Sequence, residues 1–132
     1  MSCVPRRSIN PETQRMVLQS IVEEALGDIE AAYAAKDLEG LMSFLDKDFE
    51  ARSRFQSVLE SYFVSVNRPH LHFVIDMIIA DKNGVNVRLH WFRKSLTLLN
   101  VTIKPRGSSQ LLFKRYPEGL KLKRIDKQNP FF

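Results

Sequence analysis

Apolar residues in the first part of the chain recur every three or four positions, the spacing of a helix that buries one face. The first such stripe starts at Asn10-Pro11-Glu12, a favourable helix start, and ends near Lys36. Asp37 is a good N-cap for a second helix, because its carboxylate can accept hydrogen bonds from the free N–H groups of the next turn. The pattern therefore predicts two helices joined by a tight corner.

A third apolar stripe predicts another helix, which Asn67-Arg68-Pro69 should end. The stripe comprises Phe55, Val58, Leu59, Tyr62, Phe63 and Val66. After Pro69 the period of the pattern changes from that of a helix to that of a strand. We expect an α+β fold in which three helices pack on one face of an antiparallel sheet.

His70–Phe92 is predicted to form a hairpin around Asp81-Lys82-Asn83-Gly84, a type I turn whose last residue is left-handed. A three-residue loop would pair Asp81 with Val85 and give one apolar face, whereas a two-residue loop would mix polar and apolar residues on both. The predicted apolar face comprises Leu71, Phe73, Ile75, Met77, Ile79, Val85, Val87, Leu89 and Trp91. The predicted opposite face comprises His70, His72, Val74, Asp76, Ile78, Ala80, Asn86, Arg88, His90 and Phe92.

Residues 94–109 are expected to form a long connection, although the strand could also extend into them. A second hairpin should turn at Tyr116-Pro117-Glu118-Gly119, but its register stays open because neither loop length gives a clean apolar face. The final aromatic pair, Phe131 and Phe132, is expected to pack down on the protein.

Two stretches resemble the nuclear transport factor 2-like superfamily: AAYAAKDLEGLMSFLDKDF at residues 31–49 and LLFKRYPEGLKLKRIDKQNPF at residues 111–131. The similarity covers about Thr13 to Phe131. It implies the cone-shaped, cystatin-like fold shared with ketosteroid isomerase and scytalone dehydratase, with three N-terminal helices packed on a curved antiparallel sheet. The matching residues specify packing, so the resemblance implies little about chemistry.

With 132 residues, 44% of them hydrophobic, the chain is expected to form a single domain over residues 11–132, after a flexible N-terminus at 1–10. No apolar run approaches the ~20 residues that a membrane span requires. The single cysteine, Cys3, excludes an internal disulfide. Localisation stays open: cytoplasmic by default, or an exported lipoprotein in which Cys3 carries the lipid.

The net charge of +5 is unevenly distributed. Residues 1–83 carry 9 Lys and Arg against 13 Asp and Glu, whereas residues 84–132 carry 11 against 2. Basic residues that alternate along strands keep one sheet face hydrated and protect its edges. Because they do not cluster with exposed stacking aromatics, we expect no nucleic-acid partner.

In the enzymes that the chain resembles, the cone between sheet and helices holds the substrate, and Asp, His or Tyr side chains in it transfer protons. The predicted apolar sheet face has none of these, so we expect a non-catalytic pocket for an apolar or aromatic small molecule, without a cofactor. Tyr33 and Tyr62 would supply its polar contacts, or would be ordinary core tyrosines. The predicted lining is Tyr33, Tyr62, Phe73, Ile75, Met77, Val87, Leu89 and Trp91.

His70, His72 and His90 share one predicted sheet face, but His72 would lie roughly 13 Å from His90, too far to bind the same metal ion. We expect no metal site, and a cross-strand pair between Asp76 and His90. The alternative function is an isomerase or dehydratase-type enzyme in which Asp76 and His90 lie inside the cone.

The predicted outer face mixes apolar and polar side chains, which is typical of a protein contact. Many members of the resembling superfamily also pair sheet to sheet. We therefore expect a homodimer and a role in binding or assembly. The predicted interface comprises Val74, Asp76, Ile78, Arg88, His90 and Phe92.

Overall fold

A computed structural model describes residues 11–132. Two predictions concern residues outside this range: Cys3 as a free thiol or lipid-bearing residue, and Asn10 as the N-cap of the first helix. The helices are α1 at Pro11–Ala34, α2 at Leu38–Ser43 and α3 at Arg52–Ser65. None of them is long and apolar enough to cross a membrane.

The corner between α1 and α2 has the predicted structure. Asp37 is the N-cap of α2, and its side chain accepts a hydrogen bond of 2.9 Å from the Gly40 N–H. The carboxylate satisfies a backbone donor that the first turn leaves free. The corner turns the apolar faces of both helices toward the sheet.

The strands are β1 at Val66–Ala80, β2 at Val85–Thr97, β3 at Thr102–Ile103, β4 at Arg106–Tyr116 and β5 at Gly119–Lys127. They pair antiparallel in the order β1-β2-β4-β5, and β3 pairs with the end of β2. The predicted fold class is confirmed: three helices pack on one face of a curved antiparallel sheet. The core lies between these two layers and includes Val22, Ile29, Leu41, Leu59, Leu89, Leu111 and Phe113.

The first hairpin does not have the predicted register. Its loop has four residues, so Ala80 pairs with Val85, and a bulge between Ile75 and Met77 shifts the pairing by one residue. From the bulge to the turn, the faces of β1 are therefore exchanged relative to the prediction. Met77 is on the outer face and 49% exposed, whereas Ile78 packs against the core.

The turn itself also differs from the prediction. Gly84 is not left-handed; instead, a Cβ at this position would overlap the carbonyl oxygen of Phe113 on β4. Glycine is therefore required by the close approach of β4. Asp81 fixes the loop, because its side chain accepts hydrogen bonds from the N–H groups of Asn83 and Gly84, at 2.7 and 2.9 Å.

The expected long connection at 94–109 is wrong, and the alternative of an extended strand is correct. The chain turns back at residues 98–101 and pairs again as β3, and the Arg93 N–H donates to the Pro105 carbonyl at 2.9 Å. In the second hairpin Tyr116 pairs with Gly119 around a two-residue loop. A bulge opposite Leu112 and Phe113 explains why neither loop length gave a clean apolar face.

Candidate functional site

The interior of the cone is filled by aromatic and aliphatic side chains. Of the predicted pocket residues, Tyr33 and Val87 are fully buried and Leu89, Trp91 and Phe73 are almost so. Ile75 packs against the core and Tyr62 is partly buried beside it. These seven residues belong to the core cluster or pack against it. Met77, the eighth predicted residue, lies on the other face of the sheet.

Phe131 from the chain end occupies the centre of this cluster. Its ring centroid lies 6.2 Å from that of Tyr33, 5.6 Å from Phe55 and 6.3 Å from Phe73. The Tyr33 hydroxyl donates to the Phe131 carbonyl at 2.8 Å. As predicted, the final aromatic pair packs down: Phe131 is 2% exposed and Phe132 is half-buried against Phe55.

Hydrogen bonds connect the residues before Phe131 to the sheet. Trp91 Nε1 donates to Ser109 Oγ at 2.9 Å, and that hydroxyl donates to the Gln128 carbonyl. The Asn129 side chain accepts from the Phe131 N–H at 2.8 Å. The position of the tail is thereby coupled to Trp91 in the core.

Open space lies beside this filled interior, in a cleft of about 420 Å³ between the start of α3, β5 and the tail. We call it the α3–β5 cleft; its lining is Phe49, Glu50, Ala51, Arg54, Phe55, Val58, Lys123, Arg124, Ile125, Asn129 and Phe132. The volume is within the ordinary range for a small-molecule site. Val58, predicted to face the core, is 38% exposed and lines this cleft.

Arg93 places a cation in the aromatic interior. Its guanidinium carbon lies 5.5 Å from the ring centroid of Tyr62 and 5.1 Å from that of Trp91, within the range of cation–π attraction. Its Nε and Nη1 atoms are buried and have no hydrogen-bond partner among residues 11–132. The charge pattern of residues 84–132 predicts Arg93 as one of the surface charges. Strand alternation was the missed signal, since it places Arg93 on the same face as Trp91 and Ser95.

Tyr33 and Tyr62 present hydroxyl groups to the interior of the cone. Burial raises the pKa of Tyr33 far above its ordinary value, the neighbouring Tyr62 raises it further, and Arg93 lowers it by a smaller amount. Tyr33 therefore remains a neutral hydroxyl at physiological pH. The Tyr62 hydroxyl lies 3.4 Å from Ser95 Oγ. These groups can orient a ligand, but they are poor proton acceptors.

Asp76 and His90 form the predicted pair, with His90 Nδ1 2.9 Å from Asp76 Oδ1. Their side chains are 50% and 38% exposed on the outer face of the sheet. The alternative that places both residues inside the cone is therefore wrong. His72 Nδ1 lies 3.4 Å from Glu30 Oε2, also at the surface. Within residues 11–132, no three His, Cys, Asp or Glu residues are grouped so that they could hold a metal ion.

The buried carboxylate of Asp46 is held by hydrogen bonds within the fold. Burial tends to raise the pKa of Asp46, but hydrogen bonds from the Tyr116 hydroxyl and the Asp48 N–H outweigh it, and the pKa is lowered. The Asp46 N–H also donates to the Leu122 carbonyl at 2.7 Å. Asp46 thus joins the segment after α2 to β5, and it is not among the residues that line the cleft.

No protein-family model and no curated protein matches the sequence. Solved structures do match. A conserved protein from Planctomyces limnophilus is 16% identical, with a TM-score of 0.74 over 83% of this chain and 94% of its own. A nuclear transport factor 2-like superfamily protein from Salmonella enterica is 10% identical, with a TM-score of 0.71 over 88% and 93%.

A candidate dehydratase of the same family from Streptomyces avermitilis is 14% identical, with a TM-score of 0.65 over 80% of this chain and 92% of its own. Similarity at these identities concerns the fold. The chain therefore has the nuclear transport factor 2-like fold. Structures with this fold include proteins of unknown function as well as the candidate dehydratase, so the fold does not specify an activity.

Proposed function

We propose that this protein is a non-catalytic module that binds an apolar or aromatic small molecule in the α3–β5 cleft. The observation that carries the proposal is the cleft itself, whose walls present the rings of Phe49, Phe55 and Phe132. Rings that already contact one another offer a flat apolar ligand further stacking or edge contacts.

The chemistry of the cone supports binding without catalysis. Acid–base catalysis requires a titratable group within hydrogen-bond reach of the substrate, with a pKa suited to accept or donate a proton. Glu50 is the one carboxylate among the described residues that line the cleft, and it is exposed at the surface. Tyr33 is held neutral, and the Asp76–His90 pair lies on the opposite face of the sheet.

A blocking substitution tests the proposal. Val58 lines the cleft, whereas Val64 on the same helix is 74% exposed and does not line it. Val58→Trp should fill the cleft and abolish binding of the neutral aromatic probe naphthamide, measured from amide chemical shifts in a ¹H–¹⁵N spectrum. Val64→Trp should bind like the wild type. Absence of any naphthamide binding by the wild-type protein, or equal binding by Val58→Trp, would refute the cleft as the ligand site.

A second candidate function is assembly as a homodimer through the outer face of the sheet. The bulge in β1 brings Met77 and Ile79 to this face, where they are 49% and 41% exposed, and Phe92 on β2 is 41% exposed. Exposed apolar side chains ringed by polar ones favour a protein contact. The proposed interface differs from the predicted one in that Met77 and Ile79 replace Ile78, which packs against the core. The retained residues are Val74, Asp76, Arg88, His90 and Phe92.

Met77→Glu tests this second candidate, because a two-fold contact would enclose two copies of the new carboxylate, and Arg88, opposite Met77 on β2, would offset only part of the cost of removing them from water. Val64→Glu, on a helix away from the outer face, is the matched control. Sedimentation at micromolar concentration should give a dimer for the wild type and for Val64→Glu, and a monomer for Met77→Glu. A monomeric wild type would contradict the interface.

A further inference from the structure

We propose that Arg93 is the anchor for a carboxylate of the bound molecule, so that the ligand is an aromatic acid. This inference rests on the proposed function, because it names the chemical class of a ligand that would extend from the α3–β5 cleft toward Arg93. It adds a charged subsite beside Tyr62 and Trp91, at one end of the aromatic cluster. The cleft supplies contacts to the apolar part of the ligand.

Arg93 has hydrogen-bond donors without a partner among the described residues. Nε and Nη1 together carry three of the five N–H groups of a guanidinium, and neither atom has a partner among residues 11–132. Buried donors are almost always paired in native proteins, because an unpaired one loses its hydration without compensation. The free Nε and Nη1 donors of Arg93 therefore favour a site for an acceptor.

The positive charge of Arg93 is not paired with a carboxylate among the described residues. The ion pairs among the described residues join His72 to Glu30, His90 to Asp76 and Arg124 to Asp126, and none of them includes Arg93. The rings of Tyr62 and Trp91 attract the cation but do not neutralise it. A ligand carboxylate would supply both the charge and the acceptor oxygens, in the planar geometry that a guanidinium recognises.

Aromatic rings in contact with one another extend from the cleft to Arg93. Phe55 lines the cleft and contacts Phe131, Phe131 contacts Tyr33, and Tyr33 contacts Tyr62 at a centroid distance of 6.4 Å. An aromatic acid that extended from the cleft to Arg93 would take the place of the Phe131 ring. Its carboxylate would then meet Arg93 beside the hydroxyls of Tyr33 and Tyr62.

Two probes that differ in charge test the inference: naphthoate, an aromatic carboxylate, and naphthamide, its neutral amide. Naphthoate should bind the wild-type protein about tenfold more tightly or better, as expected for a charge-assisted hydrogen bond. Binding should also shift the ¹H–¹⁵N resonance of the single Trp side chain, Trp91, and the Nε–H resonance of Arg93. Arg93→Gln should remove the preference for naphthoate while leaving naphthamide binding unchanged.

Three further variants make the result specific. Arg93→Lys, which keeps the charge without the planar donors, should retain part of the preference. Arg88→Gln, on the outer face of the same strand, should retain all of it, and Lys123→Gln tests the cation in the cleft lining as the rival anchor. A loss of preference in Lys123→Gln alone would assign the anion to the cleft rim and overturn the role of Arg93.

The remaining outcomes separate this inference from the proposed function. Equal binding of naphthoate and naphthamide to the wild type would refute the carboxylate anchor and leave the apolar site intact. Equal weakening of both probes by Arg93→Gln would show that Arg93 only supports the fold. If neither probe binds, the proposed function and this inference fail together. Should Arg93→Gln not fold, a shift of the Arg93 Nε–H resonance with naphthoate and not with naphthamide still supports the anchor, and its absence refutes it.

Discussion

Phe131 provides the most informative single substitution, because its ring occupies the interior that a ligand would need. Phe131 is 2% exposed and its ring contacts those of Tyr33, Phe55 and Phe73. Replacing a buried Phe by Ala removes its transfer free energy and leaves a cavity, at a cost of about 3–5 kcal/mol. Phe131→Ala should therefore lower the unfolding midpoint by roughly 10 °C or more.

Phe132→Ala is the matched control. Phe132 is half-buried and its ring contacts Phe55 at a centroid distance of 5.3 Å, so its removal should cost about 1 kcal/mol. Urea and thermal unfolding, followed by Trp91 fluorescence, measure both variants. Because Phe131→Ala also empties the centre of the cone, it should bind naphthalene probes more tightly than the wild type does. Equal destabilisation by the two variants, or weaker probe binding by Phe131→Ala, would refute a central role for Phe131.

Three further predictions concern single contacts of the fold. Asp37→Ala removes the cap of α2 and should reduce the free energy of unfolding by about 1 kcal/mol; an unchanged urea midpoint would contradict this role. Gly84→Ala should cost about 1–3 kcal/mol, because its Cβ would overlap the Phe113 carbonyl oxygen; a neutral effect would show that β4 can move aside. The hydrogen bond to Asp46 raises the pKa of Tyr116 to about 12 from its ordinary 10, so this bond stabilises the fold below pH 10 and is lost as pH rises toward 12. The difference in stability between the wild type and Tyr116→Phe should therefore shrink over that interval, and a constant difference would contradict the pairing.

The helices could be predicted from sequence because their signals are local. The apolar stripe that includes Val22, Leu26 and Ile29 depends on helix period alone, and the cap at Asp37 depends on a few neighbouring residues. Contacts between these helices and the sheet then follow from which face is apolar. Tertiary structure did not change these local preferences.

The hairpin registers could not be predicted from alternation, because alternation assumes an uninterrupted ladder. One bulge in β1, at Asp76, and one in β5, near Lys123, each exchange the faces of the residues beyond them. The loop at 81–84 is fixed by the close approach of Gly84 to β4, a contact distant in sequence. The assignments of Met77 and Ile78 were wrong for this reason.

None of the residues predicted to line a pocket lines the α3–β5 cleft. The aromatic interior follows from the apolar face of β2, which includes Leu89 and Trp91. The cleft combines a segment before α3, the bulged part of β5 and Phe132 from the tail, which no single periodic pattern connects. Arg93 could have been found by continuing the alternation of β2 beyond Phe92.

A crystal structure of the protein grown with saturating naphthoate tests the central claim most directly. We expect density for the naphthalene ring beside Phe55, in the place that the Phe131 ring occupies without a ligand, and a carboxylate within hydrogen-bond distance of the Arg93 guanidinium. Naphthoate bound elsewhere on the protein, with the cleft empty and the Phe131 ring unmoved, would contradict it.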